Sequence, residues 1–128
     1  MTKTVRLVIA DDTELIRRTV QRVVTEFCPG VQIVGEAKDY SELFLITKDT
    51  KPHVVLMDLN MPGEAEPNQV RAELDSCCLL VMSAWFDDRA RATAEECGAF
   101  ELLDKSTLAA NLRPAIERCL TRSKAASQ

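Results

Sequence analysis

Asp11 and Asp12 stand side by side, Asp58 stands alone, and Ser83 and Lys105 lie well downstream. Three carboxylates brought together repel, and their protons are held more tightly unless a cation compensates. Mg²⁺, or Mn²⁺ in its place, suits such a set, because it takes oxygen ligands in octahedral geometry and keeps several waters. Asp12 and Asp58 are candidates for direct ligation, with the backbone carbonyl near Asn60 as a third ligand and Asp11 holding a coordinated water. Lys105 supplies a cation and Ser83 a hydroxyl, and both suit the extra oxygens of a phosphoryl group carried on Asp58. Transfer of such a group calls for positioning and charge neutralisation rather than for a protein base.

Taken singly, each residue also has an ordinary role. Asp11, Asp12 and Thr13 are all good helix N-caps, and Asp11-x-x-Glu14 fits a capping box. Asp58 with Asn60 and Pro62-Gly63 fits a turn. Ser83 alone is a solvated strand end, and Lys105 alone is a surface charge. Capping, however, does not require that three further strand ends carry an acid, a hydroxyl and a cation.

The elements that position these residues follow from periodicity. Apolar runs at 5–10, 32–37, 54–57, 78–82 and 100–103 read as strands. Between them, helices are predicted over 14–27, from a cap at Ser41 to about 49, over 68–74, 87–97 and 112–122, with Pro114 in the first turn of the last. Pro29-Gly30 stops the first helix and Gly98 the fourth. Strands alternating with helices imply parallel pairing in a three-layer α/β domain, with apolar strands covered on both faces. The five residues then fall at carboxyl ends of strands, the edge where open parallel sheets bind ligands. The chain reads as one domain over 1–128, with 123–128 a frayed polar tail.

A formal net charge of −4 argues against a bulk nucleic-acid or anionic-membrane surface. No apolar run reaches the roughly 18–20 residues of a membrane span, and the short one at the start lacks a signal peptide's cleavage site. A reducing cytoplasm is the default compartment. Cys28, Cys77, Cys78, Cys97 and Cys119 are an odd set without a CxxC pair, and read first as small buried hydrophobes and only second as redox groups. Cys77 and Cys78, being adjacent in a strand, should point to opposite faces.

The segments Val-Ile-Ala-Asp-Asp at 8–12, Val-Val-Leu-Met-Asp-Leu-Asn-Met-Pro-Gly at 54–63, Met-Ser-Ala at 82–84 and Leu-Leu-Asp-Lys-Ser at 102–106 resemble the receiver domains of two-component response regulators. The likeness runs over nearly the full length. Ile-Val-Gly-Glu-Ala at 33–37 looks like the receivers that precede LuxR-type DNA-binding domains. The resemblance implies a flavodoxin-like fold with strand order 2-1-3-4-5 and five helices. It also implies Asp58 as phosphoacceptor, Asp11 and Asp12 as the acidic Mg²⁺ pair, Ser83 as the hydroxyl switch and Lys105 as the family's lysine. A histidine kinase or phosphotransfer protein would be the donor. Ala84, Trp85 and Leu102 would rim the pocket. The fourth helix, fifth strand and fifth helix would face a protein output target or a second copy of the chain. No DNA-binding segment follows the fifth helix, so output is expected through protein contact unless the chain is a fragment.

Three departures from the pattern carry consequences. The stretch from Asp58 to Ser83 is short by roughly one helical turn, so the third helix should be short. Leu102 stands where the family often has an aromatic switch, and Phe100 shares its strand parity. Ser106 follows the lysine where proline is frequent, which removes the basis for a cis bond. The main alternative is a receiver-like adaptor that works without phosphorylation. An aspartyl-phosphate hydrolase would want a second acid at Asn60, and a flavin module would want Gly, Ser and Thr where Asp11 and Asp12 stand.

Overall fold

The computed structural model describes residues 4–126, with side chains as far as Arg122. Strands and helices alternate: β1 (Val5–Ala10), α1 (Glu14–Phe27), β2 (Val31–Ala37), α2 (Tyr40–Thr50), β3 (Val54–Asp58), α3 (Pro67–Glu73), β4 (Cys78–Ser83), α4 (Asp88–Glu96), β5 (Glu101–Asp104) and α5 (Leu108–Ala126). The strands pair in parallel in the order β2-β1-β3-β4-β5, the flavodoxin-like arrangement expected from the sequence.

Period-two alternation distributes the apolar strand residues between two cores. Leu7, Ile9, Leu56, Leu80 and Met82 face α1 and α5, where they meet Val20, Leu112 and Ile116. Val8, Val55, Met57 and Val81 face the other way, onto Leu43, Val70 and Ala94 of α2, α3 and α4. Every residue of the central strand β3 is buried. Its four apolar side chains, Val54 to Met57, each contribute about 1.5–3 kcal/mol of transfer free energy, so the strand that carries Asp58 is held firmly in the middle of the sheet. α2 lies close on β2 at Gly35, where an added Cβ would come within 2.6 Å of the Ile46 side chain.

Several local expectations are corrected. Asp39, not Ser41, caps α2, its side chain accepting the Glu42 N–H at 2.8 Å. The capping box at Asp11 and Glu14 does not form: Thr13 is the N-cap of α1 without a side-chain bond, and Asp11 Oδ1 accepts the Thr13 N–H instead. α3 is short, at seven residues. α4 ends at Gly98, whose φ of +83° suits only glycine without strain.

The largest difference is in α5. A 3₁₀ turn over Lys105–Thr107 feeds directly into a helix that begins at Leu108, so Pro114 lies inside it rather than in its first turn. Proline removes one N–H from the ladder, and the carbonyl left without it belongs to exposed Ala110, where water can take its place. The helical backbone reaches Ala126, into the stretch expected to fray; residues 127–128 of that stretch, and the side chains of 123–126, lie outside the described residues. Among the described residues, no helix is long and apolar enough to cross a membrane.

The cysteines divide in two. Cys28 and Cys97 are buried thiols, as read from the sequence, and Cys77 is half-buried. Cys78 and Cys119 form a disulfide, with Cα atoms 6.2 Å apart, which corrects their reading as independent hydrophobes. Parity explains the choice: Cys77 packs on the α2–α4 side and Cys78 on the α5 side, so only Cys78 meets the helix that carries Cys119.

Candidate functional site

Strand register assembles the site. Ala10 pairs with Met57, so Asp11 and Asp58 leave their strands side by side. Asp58 pairs with Met82, and Ser83 pairs with Asp104, so Ser83 and Lys105 follow as the next steps across the same edge. The structure thus brings together Asp11, Asp12, Asp58, Ser83 and Lys105. An oxygen from each of the three aspartates lies within 4.8 Å of the others.

Asp11 and Ser83 are fully buried, Asp58 is 3% exposed, and Asp12 is open to solvent. Lys105 Nζ sits between the two buried acids, 2.8 Å from Asp11 Oδ2 and 3.1 Å from Asp58 Oδ2. Burial raises the pKa of Asp58 above its ordinary value and the nearby Asp11 charge adds to the rise, while the Asn60 N–H and the Lys105 ammonium oppose it. For Lys105 burial is the largest single influence and pulls its pKa down, yet the two carboxylates together outweigh it and leave the ammonium favoured. One cation therefore serves two buried anions, with a third carboxylate at the rim.

That imbalance bears on what the acids can hold. Apart from its ionic contact with Lys105, Asp11 Oδ2 is buried without a well-aligned hydrogen bond. Mg²⁺ ligands at 2.0–2.1 Å stand about 2.9–4.2 Å from one another around an octahedron, a spread the aspartate oxygens span with little movement. The donor set is all oxygen, anionic and partly open on the Asp12 side, which fits a hard divalent cation. The Asn60 N–H donates to Asp58 Oδ1 at 3.0 Å, fixing the turn after β3 and the direction in which that carboxylate points.

Two groups that sequence reasoning did not single out hold the loops in place. Arg17 Nη1 donates to the Asp11 carbonyl at 2.8 Å, and its other arm pairs with Glu36. The Tyr40 hydroxyl donates to the Leu59 carbonyl at 3.3 Å, just beyond Asp58. Arg17 comes one helical turn after the N-cap Thr13, a spacing from which a side chain can return to the preceding loop; Tyr40 carried no such signal.

The rim departs from expectation at one point. Ala84 and Trp85 lie exposed after β4, with Trp85 at 70% and therefore neither a core aromatic nor a packed staple. The Trp85 N–H donates to Ser83 Oγ at 3.0 Å and orients that hydroxyl. Leu102 packs on the α2–α4 side. Phe100, expected to share its side, packs instead on the α5 side beneath the Arg122 guanidinium. Phe100 precedes β5 rather than belonging to it, so strand parity does not extend to it. The peptide bonds of the described residues are all trans, and Ser106 uses its N–H to cap onto Asp104 Oδ1.

This chain matches the family model for the response regulator receiver domain over residues 7–117. It is 31% identical over 115 residues to the transcriptional regulatory protein LiaR of Bacillus subtilis, covering 88% of this chain and 54% of that protein. It is 31% identical over 105 residues to a protein-glutamate methylesterase/protein-glutamine glutaminase of Syntrophomonas wolfei, covering 79% of this chain and 30% of the relative. The chain thus spans about half, or less, of the length of these relatives. Among solved structures, the signal receiver domain of the putative response regulator NarL from Mycobacterium tuberculosis superposes with a TM-score of 0.81 at 30% identity, over 91% of this chain and 96% of that one. A LuxR-family response regulator from Aurantimonas gives a TM-score of 0.82 at 30% identity, over 93% and 86% of the two chains. Family model, sequence relatives and shared fold agree: the chain belongs to the response regulator receiver domain family.

Proposed function

We propose that the chain is a single receiver domain over residues 1–128 that accepts a phosphoryl group on Asp58 from a histidine kinase, a phosphotransfer protein or a small phosphodonor, and that it is a signalling switch rather than an enzyme acting on other molecules. The observation that carries this reading is the pairing of one ammonium, Lys105, with two buried carboxylates beside a third. In that surrounding, an Asp58 oxygen attacks the phosphorus of the donor and forms an acyl phosphate as the bond to the donor's leaving group breaks. A Mg²⁺ held by Asp11, Asp12, Asp58 and the Asn60 carbonyl would supply positive charge to the phosphoryl oxygens, as Mn²⁺ also could.

The chain's own groups do the rest. Lys105 follows the charge from the bare carboxylate to the phosphoryl oxygens. Ser83 Oγ accepts the Trp85 N–H and still has its own O–H to donate, so turning toward the phosphoryl group re-forms the stretch from Ala84 to Phe86. That movement passes to α4 and alters the α4–β5–α5 face, which serves a protein output target or a second copy of the chain. Nucleic acid and membrane are not direct partners in this reading, and the location is cytoplasmic. One charge pair on the face is already matched within the chain, Arg118 of α5 with Glu101 of β5, so a dimer using these groups would exchange that pair rather than add to it.

The test is direct. Incubation with acetyl phosphate and Mg²⁺, followed by intact mass, should add one phosphoryl group to the protein and none to Asp58→Asn. A folded protein that gains nothing refutes the reading and leaves a receiver-like adaptor that works without phosphorylation.

A further inference from the structure

At the amino-terminal edge of the sheet, opposite the acidic site, lies a cleft of about 880 Å³. His53, Cys77, Cys78, Phe100, Cys119 and Arg122 are among the residues that line it. Both cysteines of the Cys78–Cys119 disulfide line this cleft, so the bond lies where the core meets it. Cys78 is half-buried at the start of β4, and Cys119 is fully buried on α5.

We infer that the Cys78–Cys119 bond is a reversible redox modification site, opened by a dithiol reductant entering this cleft, whose state sets how firmly α5 is held on β4. The chemistry is a thiol–disulfide exchange. A thiolate of the reductant attacks Sγ of Cys78, the less buried of the two residues, and the bond to Cys119 breaks with its electron pair on Cys119 Sγ, which then takes a proton. The second thiolate of the reductant displaces Cys78 from the mixed disulfide, and Cys78 Sγ takes the second proton. Two electrons and two protons have reached the protein, and the reductant leaves as its own disulfide.

Both states are compatible with the fold. Leu108, Leu112, Ala115 and Ile116 bury α5 in the same core as Cys119, so the helix keeps its apolar seat when the bond opens. A protonated cysteine in that core is a small hydrophobe and leaves no buried charge. The bond matters because of what it joins. Cys78 and Ser83 are the two ends of one six-residue strand, and Cys119 lies one residue after Arg118, which clasps Glu101 of β5. Closing the bond fixes α5 to the strand at the far end from the acidic site; opening it leaves that half of the helix on packing, the Arg118–Glu101 pair and the Arg122 guanidinium over Phe100. The inference is independent of phosphorylation and concerns a different edge of the sheet.

The test uses the full chain purified without reductant. Alkylation in denaturant followed by intact mass should add three alkyl groups, matching three free cysteines; five would overturn the proposal. Titration of the folded protein with mixtures of oxidised and reduced dithiothreitol should show one two-electron transition at unchanged far-ultraviolet circular dichroism. Reduction only where the fold melts would make the bond a fixed staple and refute the switch. Cys78→Ala and Cys119→Ala should each abolish the transition while Cys28→Ala keeps it; either variant suffices if the other does not fold, and a surviving transition would assign the chemistry to other thiols. Hydrogen exchange should rise about tenfold on reduction across residues 115–122 and stay constant in α1. Equal exchange in both states would sink the claim that the bond controls α5.

Discussion

Asp58→Asn removes one of two buried anions that share a single cation, and the structure gives the sign of its effect on stability. Oxygens of Asp11 and Asp12 lie within 4.8 Å of an Asp58 oxygen, which at an effective dielectric of about 20 is roughly 3 kcal/mol of repulsion each, less for exposed Asp12. Lys105 at 3.1 Å returns about 5 kcal/mol on the same scale. Coulomb terms therefore nearly cancel, and burial decides, disfavouring the charged carboxylate and raising its pKa. Asparagine keeps an oxygen for the Asn60 N–H, and Lys105 keeps Asp11. Without metal, at neutral pH, Asp58→Asn should be more stable than the natural protein by about 1–2 kcal/mol, or about 4 °C in melting temperature for each kcal/mol. A folded-state pKa above the unfolded one means that Asp58 favours the fold at low pH and loses that contribution as pH rises through the folded value. The gap should thus close by about pH 3, below the ordinary carboxylate value. Urea unfolding in chelator at pH 7 and pH 3, followed by circular dichroism, reads both. A variant equal to or weaker than the natural protein at pH 7, or a gap that survives at pH 3, would refute this reasoning.

Three further outcomes follow from the same geometry. Mg²⁺ at one hundred times its dissociation constant should stabilise the natural protein by about 2.7 kcal/mol, with most of that lost in Asp12→Asn and Asp58→Asn; equal gains in all three would place the ion elsewhere. Lys105→Met leaves two buried carboxylates without their cation and should cost about 3 kcal/mol or more, part of it recovered with Mg²⁺, as urea midpoints with and without the ion will report. Tyr40 is the sole tyrosine, and burial pushes its pKa up to about 12; phenolate absorbance should titrate near there in the folded protein and near 10 in urea. Stability contributed by keeping that phenol neutral is present below pH 10 and is lost as pH rises toward 12.

The strands were legible because their residues are apolar on both faces, which only a covered parallel sheet explains, and the site followed from counting to their ends. The helix ends were less so. Asp39 and Ser41 both suit a cap, and local composition does not say which has the extended backbone that a cap needs. Pro114 misled for a physical reason: proline is favoured in a first turn, and nothing local reveals that the carbonyl it orphans is at the surface. The Cys78–Cys119 bond was invisible because its partners are 41 residues apart and meet only once α5 is laid across the sheet. Arg17 and Tyr40 escaped notice because they act on backbone carbonyls, which every residue has.

The readout proposed for the site is more specific than the family pattern alone implies. With Leu102 on one side of the sheet and Phe100 on the other, an aromatic ring flip coupled to Ser83 has no ring with which to work near β5. The remaining link is the Trp85 N–H on Ser83 Oγ, beside an indole that is 70% exposed. If Ser83 turns toward a phosphoryl group on Asp58, that bond breaks and the only tryptophan changes its surroundings. Emission from Trp85 should therefore shift when acetyl phosphate is added with Mg²⁺, and much less with Mg²⁺ alone, because an ion held by the three acids would leave the Trp85 backbone N–H on Ser83 Oγ. Ser83→Ala should accept the phosphoryl group yet lose most of the emission change. An equal response to Mg²⁺ alone, or a full response in Ser83→Ala, would mean that the indole senses charge at the site and takes no part in relaying it.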